Sequence, residues 1–408
     1  MQTPTRNLNY ALANLRDLPN AILPSAVFSA LVAVLTGYAG PLLVMFQVAE
    51  VGKLSQAQLS STIWAVTIGC GVCAILLSLW YRHPVLCAWP SAGAVLLVTS
   101  LATYTFSEAI GAFIIQGVLL ILLGLSGWFG RLMEIIPRTV VAGMLGGVLF
   151  RFGIGVFTAI PTAPLLVGAM IATFVIMKRL GYRAPMIGAM VIGLMVAAAQ
   201  GQIKLDNFVL ALTVPVVTLP TFNIAATLGL ALPLFVLTLT GQNAPGVAVL
   251  RNSGYDTPVD GPITLTGIAS LLTAPIGGNG INLSAITAAI CTNPEAHPDK
   301  TKRYSAGVAY GLWYVLFGMF GATAVALFSS VPKAFVAAIT GLALLGAIST
   351  ALSTAMSEPK ERDGALMAFM LTASGVEILS VGAPFWGLLL GVVVNTVLNR
   401  KFSHQSRS

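Results

Sequence analysis

One apolar run after another fills this chain, many of about 17–25 residues, parted by short polar loops. A helix of about 20 residues crosses a bilayer. In lipid every backbone N–H and C=O must be paired inside the segment or within a closed barrel. Barrel strands would alternate apolar and polar residues, and these runs do not. The expected fold class is therefore an all-α integral membrane protein. Charged residues make up 8% of the chain, against about 25% in soluble domains, too few to coat a water-facing surface.

Fourteen transmembrane segments can be drawn, some of them short. They run near 21–47, 60–80, 86–100, 107–126, 138–158, 162–178, 184–200, 223–243, 262–276, 281–293, 304–329, 334–355, 364–379 and 383–399. Alternate loops then sort the basic residues. The N-terminal side holds seventeen: Arg6, Arg16, Arg82, Arg131, Arg138, Lys178, Arg179, Arg183, Arg251, Lys300, Lys302, Arg303, Lys360, Arg362, Arg400, Lys401 and Arg407. The other side holds three, Lys53, Lys204 and Lys333. Basic loops stay in the cytoplasm, so both termini are expected there. Removing an adjacent pair of spans would keep the bias, so twelve spans is an alternative. The same sorting accounts for the net charge of +8 without a nucleic-acid partner. Residues 1–19 are polar and carry no cleavage signal.

Seven spans per half make an odd repeat, so the second half enters from the opposite side. The expected organisation is a 7+7 inverted repeat: residues 1–200, a polar linker 201–222, and residues 223–408. Within the second half, an apolar run over 263–275 ends at Pro275. Gly277, Gly278 and Gly280 then alternate with Asn279 and Asn282 before a second run starts near Leu283. Proline removes a donor, and three glycines in four residues support a helix poorly. The helix is expected to stop and restart near Asn279–Leu283. In lipid such a break is tolerated only where it is buried in protein or lines a polar cavity. Breaks at matching positions of two halves are the best pointer to a transporter's site. The match is span three, which opens with His83-Pro84-Val85-Leu86-Cys87-Ala88-Trp89-Pro90-Ser91-Ala92-Gly93.

The sequence holds no G-x-x-x-x-G-K-[ST], so ATP does not drive the protein directly. H-E-x-x-H and G-x-S-x-G are also missing, which weakens a membrane-enzyme reading. Cys70 and Cys73 form a lone C-x-x-C in an apolar run, without a second pair or a neighbouring His. They read as packing, and no metal or cofactor is expected.

PVLCAWPSAGAVLLVTS in the first half and GQNAPG, AITAAICTNPEAHPDK and APFWGLLLG in the second resemble the benzoate membrane transport protein family, whose members are benzoate:proton symporters. The loop NPEAHPDK is the most specific of these. The family is similar in architecture to uracil/xanthine permeases and sulfate-type anion carriers. That resemblance implies a core bundle of spans 1–4 and 8–11 and a gate bundle of spans 5–7 and 12–14. It also implies that spans 3 and 10 are each a short strand followed by a half-helix. The breaks fall on those two spans. The implied function is proton-coupled uptake of benzoate or a related aromatic carboxylate across the inner membrane, by elevator-like movement of the core bundle. Same-fold carriage of a nucleobase or inorganic anion and a passive anion channel are the alternatives.

Candidate binding residues follow. Half-helix N-termini near Ser91, Ala92 and Gly93, and near Gly278, Asn279, Gly280 and Asn282, would present free N–H groups to a carboxylate; a purely structural kink is the other reading. Gln242 and Asn243 are amides within an apolar span, expensive unless paired. Uracil permeases carry an acid in this region, and an amide here suits an anion better. Tyr38, which span one carries together with Gln47, could line an aromatic pocket; Trp89, Phe46 and Phe222 are weaker, and a place at the membrane interface is the other reading. Arg151 is the one clear charge inside a span, and it either attracts the anion, locks a gate or snorkels to the interface. For proton coupling or gating, Glu295, His297 and Glu377 are the candidates, and none sits well at mid-depth. Gly143-x3-Gly147 and Gly387-x3-Gly391 allow close helix packing, inside the gate bundle or across a homodimer interface. Benzoate, a proton and membrane lipid are the expected partners.

Overall fold

The computed structural model describes residues 8–131, 137–181, 185–203, 211–376, 378 and 383–399. In chain order the first part runs α1 (Leu8–Ala21), α2 (Pro24–Val51), α3 (Gln56–Tyr81), β1 (Cys87–Ala88), α4 (Ser91–Ser100), α5 (Phe106–Ser126), α6 (Arg138–Thr158), α7 (Pro164–Arg179) and α8 (Pro185–Ala199). The second part runs α9 (Ile224–Arg251), α10 (Asp260–Thr273), β2 (Asn282–Leu283), α11 (Ile286–Cys291), α12 (Tyr304–Met319), α13 (Gly321–Ser329), α14 (Lys333–Ala355), α15 (Arg362–Ser374) and α16 (Ala383–Asn399). Among the described residues six helices, α2, α3, α5, α6, α9 and α14, are long and apolar enough to cross a membrane.

Local chemistry sets many of the ends. Ser55 and Gln58 form a capping box at the start of α3, and Thr105 and Glu108 form one at the start of α5. Glu108 also accepts from Asn223 at 2.6 Å, so this acid serves as a cap. Helix α9 contains two π turns, Thr227–Ala231 and Leu239–Asn243. Proline two residues beyond each explains them. A proline ring collides with the carbonyl four residues back, here Gly229 for Pro233 and Gly241 for Pro245. Widening the turn relieves the collision without ending the helix.

Several boundaries differ from the sequence expectation: α1 precedes the first of the fourteen runs, and α9 continues past residue 243 to Arg251. The run at 304–329 is two helices, parted at Phe320, where Ala322 N donates instead to Thr213 Oγ1 at 2.8 Å. The run at 364–379 is helical only to Ser374, because Gly375 adopts a left-handed cap. The described part of the inter-half linker runs extended along helix ends. Thr213 N donates to Met319 O, Thr218 N to Pro275 O and Thr221 N to Ser107 O.

The helices pack in two groups. Helix α3 lies along α12, α5 along α10, and α2 contacts α4, α11 and α12. Separately, α6 lies along α14 and α15, α15 against α16, and α7 against α8. Glycine permits the closest of these approaches. A Cβ at Gly143 would collide with the Ala365 carbonyl oxygen, and one at Gly147 would sit 2.5 Å from Phe369 O. Gly387 and Gly391 face Ala368 and Gly364 in the same way. Both G-x3-G pairs are thus used inside the chain. Gly143→Leu is expected to cost about 3 kcal/mol or more, because the obstacle is backbone; a lowered Tm in detergent checks it, and an unchanged Tm would contradict the packing.

Candidate substrate-binding site

The broken stretches meet. Strand β1 pairs antiparallel with β2, placing Cys87 opposite Leu283 and Ala88 opposite Asn282. Ser284 N extends the ladder to Leu86 O at 2.9 Å. Gly277 and Gly280, at φ of +95° and +120°, turn the chain into this crossing, backbone that residues with a Cβ adopt poorly. Helix α11 restarts at Ile286, beyond the expected Asn279–Leu283, because Asn282 and Leu283 are committed to the strand.

Unwound backbone buried in protein has to be paired elsewhere. Ile281 N donates to Ser270 Oγ at 2.8 Å, and Leu283 N to Asn243 Oδ1 at 2.9 Å. Tyr310 Oη donates to Cys87 O at 2.8 Å, and Ser61 Oγ to Ile276 O at 2.8 Å. So α3, α9, α10 and α12 each hold the crossing through one polar side chain. At the start of α4, Ser91 N is turned to Trp89 O and Ala94 N begins the helix on Pro90 O. The amides of Ala92 and Gly93 between them have no helical acceptor, as at any first turn.

Around the crossing, several polar atoms are buried without a partner. They include both amide atoms of Asn279 and of Asn282, Asn243 Nδ2, Gln116 Oε1 and Trp89 Nε1. Each such group costs about 1–3 kcal/mol unless something meets it. Gln116 approaches Gly280, where a Cβ would lie 3.2 Å from either of its amide atoms, and it donates to Thr238 Oγ1 at 3.0 Å. An aromatic wall adjoins. Tyr38 meets Trp89 edge-on, ring centroids 5.1 Å apart, with Tyr314 at 6.2 Å and Phe317 at 5.7 Å.

The sequence candidates divide accordingly. Tyr38, Trp89, Ser91, Ala92, Gly93, Asn243, Gly278, Asn279, Gly280 and Asn282 lie on the elements that meet here. Gln242 is half-buried in the second π turn of α9, which packs against β2, and Gln47 Oε1 is buried and unpartnered on α2. Phe222 is 63% exposed. Glu295 is exposed, and His297 Nδ1 accepts from Asp299 N at 3.0 Å within the NPEAHPDK loop. That loop is tied by Arg303, which donates to His297 O at 2.7 Å and Thr292 O at 2.8 Å. Asp299 is held below the usual carboxylate range by the Thr301 hydroxyl and amide. The Arg151 side chain and Glu377 lie outside the described residues. A cavity of about 380 Å³ opens at the end of α11, lined by Val249, Ser253, Thr292, Asn293 and Arg303 among others, apart from the crossing.

Gln116, Ser270, Thr287, Tyr310 and Tyr314 were not expected. Gln116 had a signal, as the lone amide in the apolar run of span four. The tyrosines, four residues apart on one helix face, read as packing.

Residues 20–397 match the family described as BenE, benzoate membrane transport protein. This chain is a member of that family. A benzoate membrane transport protein of Acinetobacter baylyi is 40% identical over 374 residues, covering 92% of this chain and 95% of the relative. Inner membrane protein YdcO of Escherichia coli is 40% identical over 379 residues, covering 93% and 97%. Among solved structures, the transmembrane domain of the cyanobacterial bicarbonate transporter BicA superposes with a TM-score of 0.60 at 13% identity, covering 92% of this chain and 96% of that one. SLC26A9 gives 0.61 at 12%, covering 96% and 68%. Identities this low speak to fold alone. The benzoate transport family member is thus an all-α membrane transport protein with the fold of these transmembrane domains, and its relatives are transporters rather than enzymes.

Proposed function

We propose that the crossing of β1 and β2 binds benzoate or a close aromatic carboxylate, and that the protein carries it into the cell with one proton across the inner membrane. The observation that carries this reading is the set of buried, unpartnered amides of Asn279 and Asn282, with Asn243 Nδ2, beside the Tyr38–Trp89 wall. A carboxyl group meets the amides, and a benzene ring gains edge contacts and burial against the wall. Ala92 and Gly93 add first-turn N–H groups.

The physics of the membrane asks for the proton. Benzoate is an anion at neutral pH, and moving it inward against an inside-negative potential costs about 2.3 kcal/mol per 100 mV. One cotransported proton cancels that charge. A nucleobase cargo is less favoured, because no acid stands among the described crossing residues where a uracil permease places one.

A 7+7 repeat of fourteen spans with cytoplasmic termini is part of the proposal. The packing supports it. Spans two and eleven, α3 and α12, pair as spans nine and four, α10 and α5, do, and an inverted repeat exchanges those two pairs. The α6, α14 and α15 group would then be the gate against which the core moves as an elevator. Thermal shift of the purified protein against benzoate, uracil and sulfate tests the cargo. Stabilisation by benzoate alone is expected; stabilisation by uracil or sulfate without benzoate would sink the assignment.

A further inference from the structure

The unpartnered atoms at the crossing ask for two different things. Trp89 Nε1 and Asn243 Nδ2 need an acceptor, and Gln116 Oε1 needs a donor. Asn279 and Asn282 need both, since neither amide atom of either has a partner. Exchanging O and N in these two side chains changes nothing, so the conclusion does not hang on their assigned orientation. Water can fill both roles when the site is empty, but a ligand that displaces it has to reproduce them. A carboxylate is acceptor-only. It would satisfy the donors and turn its charge on the asparagine oxygens. A carboxylic acid brings an acceptor and one O–H donor.

Charge points the same way. The titratable groups near the crossing, among the described residues, are thiols and phenols: Cys70 and Cys73 from α3, Cys87 from β1, Cys291 from α11, Tyr38 from α2, and Tyr310 and Tyr314 from α12. Helices α5, α9, α10 and α11 contribute amides and hydroxyls. No described side chain there is a cation. A carboxyl group moved from water into such surroundings is favoured in its protonated form.

We infer that the proton travels on the substrate: the crossing holds the neutral aromatic acid, its O–H donated to the side-chain oxygen of Asn279 or Asn282 and its carbonyl oxygen accepting from a neighbouring amide or from Trp89 Nε1. This rests on the benzoate reading above and names the proton carrier that reading lacks. At the outer face a hydronium ion gives its proton to a carboxylate oxygen, forming the O–H bond and leaving water. At the inner face that bond breaks and the proton returns to water. One benzoate and one proton cross, and no protein group changes its protonation.

Calorimetric titration of the full-length protein with benzoate, in buffers of different ionisation enthalpy, counts the protons exchanged. About one proton taken up per benzoate near neutral pH is expected, with binding weakening about tenfold per pH unit above the free acid's titration and up to that of the bound acid. The same uptake is expected in Arg151→Gln, His297→Gln and Glu377→Gln. Benzamide, a neutral molecule with one donor group and one acceptor, should bind with no pH dependence. Benzenesulfonate, an anion at every pH used, should not compete. Benzoate binding without proton uptake, competition by benzenesulfonate, or loss of the proton in any one variant overturns the inference and leaves benzoate transport standing. Absence of benzoate binding at every pH removes the transport reading, and this inference with it. The ligand series needs wild-type protein only, so a variant that fails to fold does not protect the idea.

Discussion

Asn279→Ala is expected to weaken benzoate binding about tenfold to hundredfold while leaving the empty protein as stable as before, or slightly more so. The two halves of that statement come from one fact. Asn279 is 1% exposed and neither of its amide atoms has a partner. In the empty protein no protein group meets the side chain, so alanine removes no protein–protein hydrogen bond. With substrate present, hydrogen bonds worth roughly 1.5–3 kcal/mol disappear. A structural asparagine behaves oppositely. Asn243, whose Oδ1 accepts from Leu283 N, should lose stability when truncated, because a strand amide is left unpaired in the interior. Melting curves with and without benzoate separate the two. A fall in the Tm of ligand-free Asn279→Ala would mean that its role is to hold the crossing together.

Gly280→Val is expected to remove transport and most of the folded protein. The residue sits at φ +120°, outside the range that β-branched residues adopt. A Cβ there would also press on both amide atoms of Gln116 at 3.2 Å, and Gln116 is fully buried and bonded to Thr238. Strain of about 1–3 kcal/mol for the backbone adds to overpacking of similar size. Yield and Tm by fluorescence-detected chromatography are the readout. A well-folded, transporting variant would show that the backbone at 280 is free to relax, contrary to the strand register described.

The elements that run length and glycine can specify were legible in the sequence. Apolar runs located the helices of the first half after α1 to within a few residues, and Pro275 with Gly277, Gly278 and Gly280 located the break; α1 fell in a stretch read as a polar N-terminus. What was not legible depended on partners far away in the chain. The restart at Ile286 follows from the pairing of Asn282 with Ala88, and nothing near Asn282 announces it. The π turns follow from Gly229-x3-Pro233 and Gly241-x3-Pro245, which read as ordinary helix interruptions until the helix is seen to continue. Gln116 and Ser270 needed the geometry, since each acquires its importance from a backbone segment on another element. Of the charge-bearing candidates, the Arg151 side chain and Glu377 lie outside the described residues. His297 belongs to a loop tied by Arg303, and Glu295 is exposed.

Proton-coupled benzoate transport is tested most directly by uptake of labelled benzoate into proteoliposomes under an imposed pH gradient, acid outside. Accumulation above the level of protein-free vesicles, lost when the gradient is collapsed and restored when it is re-imposed, is the predicted result. Uptake that only equilibrates benzoate, with the same rate whether or not the gradient is present, would contradict it.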